Sequence, residues 1–373
     1  MKVLFVSSGL GTGGAERSLL RLCTALVARG LQPAVICLSR ETTLLPQFAQ
    51  VRVETLVHDF GRPLAWWESW SRARRWLMQW QPDIVQGWMY HGNLIATLLA
   101  GRVEARHALV WSVRQTLDGT RDPALTRAVI RLNQWFSARA AAIVYNSEQG
   151  RRDHEAMGYH QGAGTVIHNG VEPRLVVPLD RSSARALVGV PQSAFAVGHV
   201  ARFHPSKDHH GFLAAFADLV NRRPDAIAVM AGTGVDSSNA TLQDWIDGLG
   251  LGPNTRLLGN RPDIDRIFPA LDILCMSSIG MEGFPNVVAE AMASAVPCVV
   301  TRVGDAADIV GDAGVVVAPA DRAALAAGLL ELAQLDSARR SDLAARAHER
   351  VQRLFSVDRM ADEFVALYRR VLS

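Results

Sequence analysis

Glu282 and Glu290 bracket the segment Gly283-Phe284-Pro285-Asn286-Val287-Val288-Ala289, and the stretch runs on into 291–300. A strand-like stretch, 271–276, gives out just before it into Ser277, Ser278 and Gly280. Pro285 suits the first turn of a helix, where its missing N–H would have had no partner anyway. A helix starting there offers unpaired amides around Phe284–Val287, a seat for an anion such as a pyrophosphate. Glu290 falls one turn inside, on the face of Asn286 and Val287. Two carboxylates beside an anion seat suit a ligand that is polyhydroxylated as well as anionic. A nucleotide sugar would set its phosphates on the amides, its ribose hydroxyls on one carboxylate and its sugar hydroxyls on the other. Each such charge-assisted bond contributes about 1.5–3 kcal/mol. The plainer alternative is that both glutamates cap and solvate a helix start.

Cations decide between the two. Arg202 and Lys207 follow the strand-like run 195–201, and strand ends in open parallel sheets line the ligand crevice. With the amides near Asn286 they complete a diphosphate site. Asp263 and Asp265 have the look of a metal-holding pair, but Asp263 is expected to cap a helix, and no metal or other cofactor is required. At the other end of the chain, Gly9, Gly11 and Gly14 match the G-x-G-x-x-G turn between a strand and a helix. A dinucleotide-binding dehydrogenase is therefore an open alternative, although Ser39 and Arg40 stand where an acidic ribose partner belongs. Three further strand-like runs end in polar residues, placing His91, Arg114 and Asn146 as candidates facing one cleft.

These residues need elements to hold them. The chain has 373 residues, 49% of them hydrophobic, enough for two cores. Strand and helix patterns alternate through both halves, which implies two doubly wound α/β domains facing a central cleft. The expected boundaries are 1–172 for the first domain, 173–190 for a patternless joint, and 191–356 for the second. Residues 357–373 should form a helix that packs back on the first domain. The net charge of +3 demands no nucleic acid. Cys23, Cys37, Cys275 and Cys298 sit apart among apolar neighbours and read as buried thiols of a reducing compartment. The first apolar run, 1–6, is too short for a leader and no run is long enough to span a bilayer, so the expected location is the cytoplasm. Five tryptophans lie between Pro63 and Gln81. Trp66, Trp70, Leu77 and Trp80 share one helical face, which packs on the sheet or, through Trp66 and Trp70 with Arg72 and Arg75, touches the inner membrane surface.

The motifs Gly-Gly-Ala-Glu-Arg17, Asn146-Ser-Glu, His168-Asn-Gly-Val, Arg202 with Lys207, and Glu282-Gly-Phe-Pro-Asn-Val-Val-Ala-Glu290 resemble those of the retaining glycosyltransferases of family 4. The resemblance covers essentially the whole chain. It implies the GT-B fold of two Rossmann-like domains, with a nucleotide-diphosphate sugar, UDP-linked in preference to GDP-linked, held by the second domain. The first would take a hydroxyl acceptor, such as a glycan, glycolipid or small molecule. It also implies that Glu290 holds the ribose, Glu282 the sugar hydroxyls, Arg202 and Lys207 the leaving diphosphate, and Gly13 and Gly14 close over the donor phosphate. Many relatives carry a histidine where Arg114 stands, so that role passes to His91 or to no residue. Met281 and the Gly304-Asp305 pair with Asp308 also depart from the family pattern. An epimerase of the same fold and a non-catalytic nucleotide-sugar binder remain alternatives.

Overall fold

A computed structural model of the chain describes residues 1–58, 66–101, 107–117, 123–172 and 180–373. It divides into two compact units, one of Met1–Gly170 with Val357–Ser373 and one of Val171–Ser356.

The first unit opens with β1 (Lys2–Ser7), α1 (Gly14–Ala28), β2 (Gln32–Cys37), α2 (Leu45–Gln50) and β3 (Glu54–Val57). It continues through α3 (Trp66–Trp80), β4 (Ile84–Trp88), α4 (Met89–Ala100), β5 (Ala108–Val113) and α5 (Ala124–Phe136). Then come β6 (Ala142–Tyr145), α6 (Glu148–Met157) and β7 (Gly164–Val166). The strands form one parallel sheet ordered β3-β2-β1-β4-β5-β6-β7. Val3, Leu4, Phe5 and Val6 are fully buried, because helices cover the sheet on both faces.

The second unit holds α7 (Arg181–Val188), β8 (Phe195–Val200), α8 (His209–Arg222), β9 (Ala226–Ala231), α9 (Ala240–Gly248) and β10 (Thr255–Leu257). It closes with β11 (Ile273–Met276), α10 (Asn286–Ala293), β12 (Cys298–Thr301), α11 (Ala306–Val310), β13 (Gly314–Val317), α12 (Arg322–Gln334) and α13 (Ser337–Phe355). Its parallel sheet is ordered β10-β9-β8-β11-β12-β13. The strand order reverses between β8 and β11, so their carboxyl ends diverge and leave a crevice.

After α13 the chain re-enters the first unit as α14 (Val357–Leu372). Met360, Phe364 and Tyr368 join the cluster formed by α1 and the sheet. The Tyr368 hydroxyl donates to Gln86 Oε1 at 2.5 Å, and Arg29 pairs with Asp358 and Asp362.

Three expectations change. Residues 181–188, assigned to a patternless joint, form α7, capped by Asp180 and pinned to the sheet through Asp272. Asp272 accepts from Arg181, from buried Arg185 and from the Ala196 amide, so its charge is compensated where it lies. The rest of that joint, 173–179, lies outside the described residues, as do 63–65 of the tryptophan segment and the Trp66 side chain. The polar strand end expected at His91 is the first turn of α4, which follows β4 directly and is entered through a positive φ of 66° at Met89. Trp70, one of the two tryptophans offered as a membrane contact, is buried with Ala73 and Leu77 against the sheet. A helix on a sheet turns its apolar stripe inward.

Candidate active site

The crevice of the second sheet collects the residues singled out for chemistry. Beyond β8 the chain runs through Arg202, Phe203 and His204 into a single 3-10 turn, Pro205–Lys207, and then α8. The turn is pinned from below: the Ser277 hydroxyl donates to the Lys207 carbonyl at 2.8 Å and lies 3.0 Å from the His199 ring. The Ile279 amide donates to the Ser206 carbonyl at 2.8 Å, tying the β8 loop to the β11 loop.

Lys207 Nζ forms an ion pair with Glu282 Oε1, and the Ser278 hydroxyl donates to the same oxygen at 2.7 Å. Side-chain exposure is 17% for Lys207 and 12% for Glu282, so both charges are partly out of water and strengthen each other. Ser278 is itself fixed, its carbonyl accepting from the Thr301 hydroxyl at 2.5 Å. Arg202 is exposed at the end of β8.

The Glu282 loop is shaped by backbone. Met281 has a φ of 59°, unusual for a residue with a side chain. Gly304 has a φ of 56°, and a Cβ there would lie 2.4 Å from the Gly283 carbonyl oxygen and 2.5 Å from that of Glu282. The Asp305 amide donates to the Gly283 carbonyl at 2.9 Å. The turn after β12 thus cradles the loop after β11.

Pro285 is the N-cap of α10, one position ahead of the expected first turn, and its carbonyl accepts from the Val288 amide at 3.1 Å. Phe284 is buried, its ring 5.4 Å from that of Phe355, so it offers a ligand its backbone and not its ring. Val288 and Ala289 are buried, while Asn286, Val287 and Glu290 are half-exposed along one face. Lys207, Ser278, Glu282 and the start of α10 therefore stand at one switch point. Ser278, Ser277, His199 and Gly304 were not assigned these roles from sequence, since serine after a strand and glycine in a turn are common.

The first unit treats its candidates differently. Arg114 is buried at the carboxyl end of β5. Its guanidinium lies 4.3 Å from the Trp88 ring and 5.3 Å from Phe364, and donates to the Ile167 carbonyl at 3.1 Å and to Asn169 at 3.2 Å. Asn146 is buried too and donates to the Arg114 carbonyl. His91 is half-buried in the first turn of α4, and burial lowers its pKa, which keeps it neutral at pH 7. Asp263 stands at the N-cap of the 3-10 turn Ile264–Arg266, but its side chain makes no capping bond and instead binds Arg261 through two bonds of 2.8 Å.

Gly13 is the N-cap of α1 and Gly14 its first residue. The loop before them is already lined with negative charge. A Cβ at Gly11 would lie 2.2 Å from the Glu41 carboxylate, and one at Gly13 would lie 2.3 Å from that of Glu16. Burial raises the Glu16 pKa, and neighbouring Glu41 adds to the rise. A dinucleotide pyrophosphate would meet Glu41 where the dehydrogenase reading needs open backbone.

Known proteins bear on this geometry. The model of "Glycosyltransferase Family 4" matches residues 12–175, and that of "Glycosyl transferases group 1" matches residues 194–334. The chain is 31% identical over 245 residues to D-inositol 3-phosphate glycosyltransferase of Corynebacterium urealyticum, covering 62% of this chain and 57% of that protein. It is 25% identical over 209 residues to N-acetyl-alpha-D-glucosaminyl L-malate synthase of Bacillus anthracis, covering 56% and 54%. The chain thus spans little more than half the length of these relatives. Among solved structures, Anabaena Alr3699/HepE in complex with UDP superposes with a TM-score of 0.85 at 22% identity, over 99% of this chain and 100% of that one. A glycosyltransferase from Rickettsia africae gives 0.83 at 19% identity, over 100% and 98%. With two adjoining family models accounting for most of its length and two Rossmann-like units matching the same architecture, the chain belongs to the family 4 and group 1 glycosyltransferases of the GT-B fold.

Proposed function

We propose that the chain transfers a sugar from a UDP-sugar to a hydroxyl acceptor with retention at the anomeric carbon, in the assembly of a bacterial polysaccharide or glycolipid. The observation that carries this reading is the Lys207–Glu282 pair at the β8/β11 switch point, beside the amino end of α10. An ammonium has three donors, and one spent on Glu282 leaves two for a diphosphate. Arg202 supplies the second cation, and Glu290 the acceptor for the ribose hydroxyls. Glu282, held by Lys207 and Ser278, takes the donor-sugar hydroxyls. The choice of UDP draws on the likeness to HepE, whose structures hold UDP and UDP-glucose. Acceptor binding is assigned to the first unit.

In the proposed step the bond from the sugar C1 to the β-phosphate oxygen breaks, and its electron pair leaves with the phosphate. The acceptor oxygen bonds to C1 on the face just vacated, through a short-lived oxocarbenium ion pair. The acceptor proton passes to the departing phosphate, giving a glycoside and UDP. Arg202 and Lys207 stabilise the charge that develops on that phosphate, an electrostatic contribution of the kind that dominates many enzymes.

The test is a thermal-shift comparison of UDP, GDP and ADP, followed by UDP release from UDP-sugars with and without hydroxyl acceptors. A ligand at a hundred times its dissociation constant stabilises by about 2.7 kcal/mol. Acceptor-dependent UDP release supports transfer. Interconversion of UDP-sugars without an acceptor would mark an epimerase, and binding without turnover across a broad panel a binding protein.

A further inference from the structure

The two serines after β11 serve opposite halves of the Lys207–Glu282 pair. Ser278 donates to the carboxylate of Glu282 at 2.7 Å. Its neighbour Ser277 reaches the backbone of the cation. The Ser277 hydroxyl lies 2.8 Å from the Lys207 carbonyl and 3.1 Å from that of Asp208, so one proton serves both. Between those carbonyls the chain leaves its 3-10 turn for α8. Asp208 takes a φ of 46° there, in the left-handed region that a residue with a side chain seldom adopts. Backbone of that kind persists only where its surroundings hold it. The Asp208 carboxylate accepts from the Gly211 amide at 3.0 Å, and Ser277 holds the carbonyl side.

Behind Ser277 stands His199, in β8. Its ring is buried, stacked on Phe212 with centroids 4.5 Å apart and edge-on to His209 at 4.7 Å. Nε2 lies 3.0 Å from the Ser277 oxygen, whereas Nδ1 is buried without a partner. Burial pushes the pKa of the ring well below its ordinary value, so at pH 7 it carries a single proton. The Ser277 proton is committed to the two carbonyls, which leaves a lone pair of its oxygen for His199. The ring proton therefore sits on Nε2 and donates to Ser277. The other tautomer would bury an unpaired N–H on Nδ1, a rarer and costlier defect. A directed relay results, from His199 Nε2–H to Ser277 Oγ and from Ser277 O–H to the Lys207 and Asp208 carbonyls. A serine hydroxyl alone is free to rotate, and the imidazole removes that freedom.

We propose that His199 and Ser277 are positioning residues for the leaving diphosphate. Their relay fixes the Lys207–Asp208 peptide, and with it the direction of the Lys207 side chain towards Glu282 and the diphosphate. Neither residue is assigned a contact with the ligand. Ser277 orders the cation through its backbone, and Ser278 orders the carboxylate at its oxygen. The proposal rests on Lys207 facing a diphosphate, as in the function proposed for this site.

The test is calorimetry of the full chain with UDP and with uridine, which differ by the diphosphate. Ser277→Ala and His199→Phe should bind UDP about tenfold more weakly, the worth of one hydrogen bond to a charged group, and uridine unchanged. His199→Gln sets an amide N–H near the place of Nε2 and should restore UDP affinity. His199→Asn sets one near Nδ1 and should not. Nitrogen NMR of histidine-labelled chain should find His199 protonated on Nε2, and this holds the proposal to account if Ser277→Ala does not fold. A ring protonated on Nδ1 overturns the proposal, as do Ser277→Ala and His199→Phe variants that bind UDP as the unaltered chain does. A parallel loss of uridine overturns it too, since the damage then reaches the whole site, and so does a His199→Gln variant no better than His199→Phe. An unaltered chain that binds no UDP instead overturns the proposed function, and this inference falls with it.

Discussion

Lys207, in the turn after β8, and Glu282, in the loop after β11, are joined as an ion pair across the switch point of the second sheet. On the proposed function the pair gives one group two tasks: Lys207 orients the carboxylate and keeps donors for phosphate. Lys207→Ala should therefore lower kcat by about 100-fold, the usual cost of one donor at a developing anion. Acceptor KM should change little. Turnover equal to that of the unaltered enzyme would remove the leaving-group role.

Ser278 donates to Glu282 Oε1 and is assigned no phosphate contact in the proposed function. Ser278→Ala frees one carboxylate oxygen of its neutral donor, a loss of about 1 kcal/mol or some fivefold in kcat/KM. UDP affinity, measured by calorimetry, should stay the same. A parallel fall in UDP affinity would mean that Ser278 acts on the whole loop.

The two glutamates are expected to separate by ligand part. Glu290→Ala should weaken free UDP by about 10-fold or more, the worth of a hydrogen bond to a charged group. Glu282→Ala should leave UDP binding nearly intact and relax the choice of donor sugar. Calorimetry with UDP and with several UDP-sugars checks this; equal losses of free-UDP affinity in both variants would contradict it.

Gly304→Ala puts a methyl group 2.4 Å and 2.5 Å from two carbonyl oxygens at a φ of 56°. The backbone must shift, and a cost of about 2 kcal/mol or more in urea unfolding is expected. Activity should fall further than stability explains, because the displaced loop carries Glu282. A variant as stable and active as the parent would show that the loop tolerates the shift.

His209 lies beneath the Lys207 turn, and burial brings its pKa down to about 4, with the Lys207 charge adding to the fall and a backbone contact at Ala201 opposing it. The neighbouring His199 is shifted the same way, by burial first. Above the ordinary imidazole value of 6.5 both folded and unfolded chains hold these rings neutral. Below it the unfolded chain takes up protons that the folded one refuses, so stability falls as pH drops from 6.5 towards 4. His209 alone accounts for about 3 kcal/mol. Urea unfolding at pH 7.5 and 5 should show the loss, and His209→Phe, facing Phe203 and His199, should reduce it. An equal loss in the variant would place the titration elsewhere.

Much of this fold was legible before any coordinates. The strands at β1, β8 and β11 are largely apolar runs because both faces of a parallel sheet are covered, and a run of that kind stands out among helices of mixed face. The Glu282–Glu290 stretch was legible for a local reason: helix starts, proline and an i,i+4 face are properties of neighbouring residues. Helix α7 was hidden, since its arginines are held by Asp272, 91 residues beyond Arg181. The start of α4 was hidden too, because tertiary packing carries a positive φ at Met89 that local preference argues against.

The sequence by itself determined most of the element types, the two-unit plan, the burial of all four cysteines and the residue types of the candidate site. Only the tertiary structure decided which candidates act together. It joined Lys207 and Ser278 to one oxygen of Glu282, buried Arg114 and Trp70, and set Glu41 beside the glycine loop. The physical reason is that a side chain's type is local, whereas its partners and its burial are set by strand order and helix packing, which bring residues far apart in the chain to one place.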